Sequence, residues 1–137
     1  MRGLLILVWG VVIFIFTCTA SFHSLIEFGV IGFEWDSRPH FAELLFPLPA
    51  ALSGHFLLQK LGHLTAFFIF TFLLHTKFQS RMLALIIATS YAALTEFLQL
   101  YFTRDGRLFD IGIDGIGVLL AVGVSSFSRR TQFDKSA

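Results

Sequence analysis

Four apolar stretches divide the chain, and almost every charge it carries lies at one end of them. They run Gly3–Phe22, Leu61–Thr76, Met82–Phe102 and Ile111–Ser128. A hydrocarbon core of about 30 Å takes roughly 20 apolar residues in a helix, so each stretch is long enough, or nearly so, to span. Charged and polar groups breach the last three. Lys60 and His63 open the second, Glu96 lies inside the third, and Asp110 and Asp114 stand at the start of the fourth. An ionisable group near the membrane centre costs about 2.5–3.5 kcal/mol even on a lenient scale, so a chain that keeps several at one boundary has a use for them.

Composition supports the membrane reading. The 137 residues are 55% hydrophobic and include 18 Phe, with a mean hydropathy of +0.78. A soluble domain of this length has too little interior to hide that much apolar surface. The net charge of +1 and the absence of a basic run exclude a nucleic-acid partner. Cys18 is the single cysteine and forms no internal disulfide. The first stretch reads as a retained helix rather than a cleaved leader, because its uncharged run exceeds the usual 7–15 residues of a leader core.

These features predict an all-α fold: an integral membrane four-helix bundle with a long outer loop between the first two helices. One membrane domain covers about 1–128, with helices near 3–22, 57–76, 82–102 and 110–128, and a cytoplasmic tail follows at 129–137. The short basic linker His75–Arg81 and the Arg129-Arg130 pair belong on the cytoplasmic side, which puts both termini there. The expected location is the cell membrane, with a multi-pass topology. The loop His23–Gln59 contains an apolar, proline-broken segment, Phe41 to Pro49. It is expected to lie in the outer interface or to fold over the helices. The second outer loop, Leu100–Phe109, turns around Asp105-Gly106.

Helical spacing gathers the polar residues. Lys60 and His63 share a face, as do Glu96 and Gln99, and as do Asp110 and Asp114; Arg104 and Arg107 stand in the loop between the last two helices. With alternating helix directions all eight reach the same leaflet, and in lipid they need one another as partners. Simpler roles exist for several of them. Lys60 can snorkel to the boundary, Asp110 can favour a helix N-terminus, and Gly115 and Gly117 can serve helix packing. Glu96, deep in its helix, can be a structural ion-pair partner of an Arg or Lys.

The ordered set Lys60-x-x-His63, Glu96-x-x-Gln99, an arginine, then Asp110-x-x-x-Asp114-x-x-Gly117 resembles the VanZ-like family of small bacterial membrane proteins. Arg104, or three residues on Arg107, takes the arginine position. The chain reads Phe102-Thr103-Arg104 where members often carry Pro-Gly before that arginine. The resemblance implies four membrane helices. It also implies an association with the cell envelope and with low-level resistance to the glycopeptide antibiotic teicoplanin, without naming a reaction.

Three functions fit these residues. The first is binding or remodelling of an anionic lipid-linked or cell-wall ligand, held by Lys60, Arg104 and Arg107. The second is a membrane-embedded enzyme with Glu96 and His63 as acid and base. The third is a structural or regulatory membrane partner, for which an oligomer is compatible. His63, Glu96, Asp110 and Asp114 have metal-ligand chemistry, but the nearby cations oppose it, so no metal or other cofactor is expected.

Overall fold

A computed structural model describes residues 1–47, 53–104 and 106–134. All regular structure among the described residues is helical: α1 (Arg2–Cys18), α2 (Phe22–Phe28), a 3-10 turn (Phe41–Leu45), α3 (Gly54–Phe78), α4 (Arg81–Tyr101) and α5 (Leu108–Asp134). Leu48 and Pro49 of the apolar loop segment, Asp105 of the second turn and Lys135 of the tail lie outside the described residues.

Side-chain caps start the helices where the sequence changes character. The Ser53 hydroxyl accepts from the Phe56 N–H at 3.1 Å, and Ser80 accepts from Leu83 at 3.3 Å. Gln79, in the left-handed region at φ 56°, ends α3. Only Gln79 and Ser80 therefore separate α3 from α4, and such a short link makes neighbouring helices antiparallel.

α3 touches α1, α4 and α5, and α4 also touches α1 and α5. The small residues Ala84, Ala88 and Ala92 fall four apart on α4 and are all buried. They pack with Ile13, Phe67, Phe70, Leu74 and Val118 to make the core. Gly117 sets the closest approach of α5 to α3, since a Cβ there would run into the Leu64 carbonyl oxygen. Gly115 does not share this role, because nothing lies within 4 Å of where its Cβ would be. The small residue is needed only where backbones meet, and Gly117 is the one that meets α3.

Outside this core the helices present Leu7, Leu61 and Leu119 with 60% or more of their surface exposed. Lipid, rather than water, is the solvent that suits such a surface. Among the described residues three helices are long and apolar enough to cross a membrane unbroken: Phe56–Phe78, Arg81–Tyr101 and Leu108–Ser125.

The first apolar stretch departs from the single helix expected over Gly3–Phe22. α1 stops at Cys18, and the chain turns by 115° into α2, so the pair makes a fourth span only when taken together. The cause is local. Ser21 caps a new helix by accepting from Ser24 at 3.1 Å. The Ala20 N–H donates to the Gly32 carbonyl at 2.8 Å, and the Thr19 hydroxyl donates to the same oxygen at 3.2 Å. These bonds divert the chain from the helical ladder and tie the following strap back onto the end of α1.

The strap that follows α2 is an aromatic cover rather than a free loop. Phe33 packs on Phe14 and Phe102, Trp35 stacks on Tyr101 at 5.3 Å between ring centroids, and Phe41 stacks on Phe97. The Asp36 N–H donates to the Tyr101 carbonyl at 2.8 Å and fastens the strap to the end of α4.

Candidate functional site

The start of α3, the end of α4 and the start of α5 meet at one end of the molecule, beside the end of α1. Alternating direction brings there Lys60 and His63 of α3, Glu96 and Gln99 of α4, and Asp110 and Asp114 of α5. All six are largely withdrawn from solvent. Glu96 and Asp114 are wholly buried, and Lys60 keeps only 12% of its side chain exposed.

Two linked groups make up the cluster. In the outer one the Lys60 ammonium lies 2.6 Å from Asp110 Oδ2 and 5.0 Å from the centre of the Phe56 ring. Asp110 stands in the first turn of α5, where the positive end of the helix dipole adds to its stabilisation. In the inner group, His63 Nδ1 lies between two carboxylates, 3.3 Å from Asp114 Oδ1 and 3.9 Å from Glu96 Oε1. Glu96 is held at both oxygens: the Gln99 amide donates to Oε1 at 2.7 Å and the Arg107 backbone N–H donates to Oε2 at 3.0 Å.

The Arg107 bond explains a glycine that sequence reasoning read only as a turn. A Cβ on Gly106 would collide with the Glu96 carbonyl oxygen, so the loop approaches α4 this closely only with glycine. Thr103 also takes a left-handed conformation, φ 52°, at the bend. The signal in sequence was Asp105-Gly106 directly before Arg107, but spacing cannot show that the loop folds back a full turn onto Glu96. An amide, a main-chain N–H and, at 3.9 Å, an imidazole stand around the Glu96 carboxylate.

Arg104 and Arg107 stand at the mouth. Arg104 reaches toward the Ala20 carbonyl at 3.5 Å, and its own N–H donates to the Gln99 carbonyl at 3.0 Å. Both arginines line a cavity of about 380 Å³ with Lys60, Asp110, Gln59, Thr103, Phe56 and Ala20. A second cavity of about 410 Å³ adjoins it through Ala20, Phe56, Gln59 and Arg104, and reaches Ser21, His23 and Ser53. A concave space of this size, walled mainly by polar and charged side chains with Phe56 and Ala20 beside them, can take a small polar ligand. Three cations against one carboxylate on its lining favour an anion. Gln59 and Thr103 were missed by the sequence pattern, because an isolated amide or hydroxyl at a helix end carries no signal of its own.

No family model and no solved structure matches the chain. The "Uncharacterized membrane protein YwnJ" of Bacillus subtilis (strain 168) is 30% identical over 136 residues, which cover 95% of this chain and 94% of that protein.

Proposed function

For a chain that belongs to the family of the membrane protein YwnJ, we propose a site that holds the anionic headgroup of a lipid or lipid-linked envelope molecule. The observation that carries this reading is the cavity whose lining includes Lys60, Arg104 and Arg107 at the end of membrane-spanning helices. Guanidinium groups bond phosphate or carboxylate by two parallel N–H donors, while the lysine contributes a point charge already oriented by Asp110. A lipid suits the place: its headgroup enters the cavity while its tails remain among the exposed leucines of the helices.

In this reading α1 with α2 forms the fourth span of a helix bundle. Both termini face the cytoplasm, and the site faces the outer leaflet of the cell membrane. The basic linker containing Lys77 and Arg81 supports that orientation. A reporter fused after Ala137 is expected to be active only in the cytoplasm; activity outside overturns the orientation. The VanZ-like resemblance adds that loss of the protein lowers tolerance of teicoplanin in its host, to be read as inhibitory concentration with and without the gene.

The binding claim is tested on the full chain in detergent, by native mass spectrometry with equal amounts of phosphatidylglycerol and phosphatidylcholine. Retention of phosphatidylglycerol in preference to phosphatidylcholine is the expected result. Equal retention of the two contradicts the reading.

A further inference from the structure

Deeper than the cavity, His63, Glu96 and Asp114 form an arrangement that headgroup binding does not use. One ligating atom from each lies within 4.8 Å of the other two, and all three residues are buried. The separations of 3.3 Å and 3.9 Å from His63 Nδ1 to the two carboxylates resemble those around a metal. Ligands at about 2.1 Å from a tetrahedral ion stand about 3.4 Å from one another.

A second, independent observation points to a ligand. Among the described residues Asp114 Oδ2 has no donor and Oδ1 has only the His63 imidazole, at 3.3 Å and poorly aligned, although the residue is wholly buried. An ionised carboxylate offers about four acceptor positions, and burying them unfilled is costly. A protonated His63 would balance part of the charge, but Asp114 Oδ2 would still lack a donor. Glu96, by contrast, is steadied by Gln99 and the Arg107 N–H, the kind of support that orients a carboxylate for a metal.

Charge also permits it. The cation that most opposes a metal, Lys60, is drawn 2.6 Å onto Asp110, so that pair is balanced. Glu96 and Asp114 remain beside the His63 imidazole, and a divalent ion would balance the two carboxylates once ionised.

We propose that His63, Glu96 and Asp114 bind one divalent first-row transition metal ion through one nitrogen and the carboxylate oxygens. One imidazole with two carboxylates suits Zn²⁺ or Mn²⁺ better than Cu(I), which selects sulfur. Ca²⁺ is disfavoured because it takes 6–8 oxygen ligands. The inference stands apart from the headgroup reading, since neither His63, Glu96 nor Asp114 lines the cavity.

The test uses the full chain, purified without chelator and without a histidine tag. Titration with Zn²⁺ alone is expected to give one ion per chain. Glu96→Gln and Asp114→Asn remove charge at constant size, and each should weaken binding by roughly 100-fold or more, beyond the 10–100-fold typical of losing a supporting partner. Cys18→Ala should leave it unchanged. X-ray absorption at the zinc edge of the wild-type protein should show only N and O neighbours, including imidazole, and decides the matter even where a variant fails to fold. Substoichiometric binding, sulfur in the zinc shell, or full-strength binding by both neutral variants overturns the proposal.

Discussion

The two ends of the helix core handle buried polarity in opposite ways. Toward the α3–α4 link and through the middle, polar side chains give their protons to main-chain carbonyls. The Thr71 and Ser125 hydroxyls bond Phe67 and Ala121 of their own helices at 2.7 Å. The Trp9 indole and Tyr91 hydroxyl bond the carbonyls of Ala66 and Gly10 on neighbouring helices at 2.9 and 2.6 Å. At the other end, ionisable side chains from α3, α4 and α5 face one another, and among the described residues three carboxylate oxygens of Asp110 and Asp114 lack an aligned hydrogen bond. The first arrangement satisfies a helix in lipid and needs no further partner. The second leaves acceptors open, which is costly for stability and useful for binding. Stability is built in one half, and chemistry is concentrated in the other.

The largest effect should come from the packing that both ends share. Gly117→Val places a branched side chain where α5 meets the Leu64 carbonyl, so α5 must move away from α3. Overpacking costs about 1–3 kcal/mol when side chains can yield, and backbone yields less, so loss of monodisperse protein is expected in size-exclusion chromatography. Gly115→Ala, facing open space, is the matched control and should behave as wild type.

The Lys60–Asp110 pair comes next. Removing one member, as in Asp110→Leu, strands the other charge and should cost about 3–5 kcal/mol. Lys60→Met together with Asp110→Leu should recover most of that stability, because a buried ion pair is often replaceable by apolar residues of similar size. A double variant no better than the single one would show that the pair does more for the fold than this account allows. The smallest effect is expected at the other end. Thr71→Val removes a bond to its own helix and should change stability by no more than about 1 kcal/mol.

How far the sequence carried this contrast depends on the kind of signal. Lys60, His63, Glu96, Gln99, Asp110 and Asp114 could be grouped in advance, because three- and four-residue spacing on alternating helices sends them to one end. Hydropathy found the three unbroken spans for the same reason: it sums over many residues. The break after Cys18 escaped it, since Thr19, Ala20 and Ser21 are mild residues; the helix ends there because Thr19 and Ala20 turn to the Gly32 carbonyl and Ser21 caps the next helix. The hold of the Arg107 main chain on Glu96 was equally hidden, as it depends on Gly106 passing against α4. Long-range contacts of single residues set these details, and periodicity does not register them.

The most direct test of the central claim separates affinity from stability at the charged end. Arg104 and Arg107 line the cavity, and Gln at both positions removes the charge while keeping hydrogen-bonding capacity, so the fold should survive the exchange. The measurement is phosphatidylglycerol binding alongside melting temperature for the Arg104→Gln/Arg107→Gln protein in detergent. The account predicts lipid affinity lowered by at least about tenfold, roughly 1.4 kcal/mol, with the melting temperature within a few degrees of wild type. Unchanged affinity, or a collapse of melting temperature that accounts for the lost binding, would contradict it.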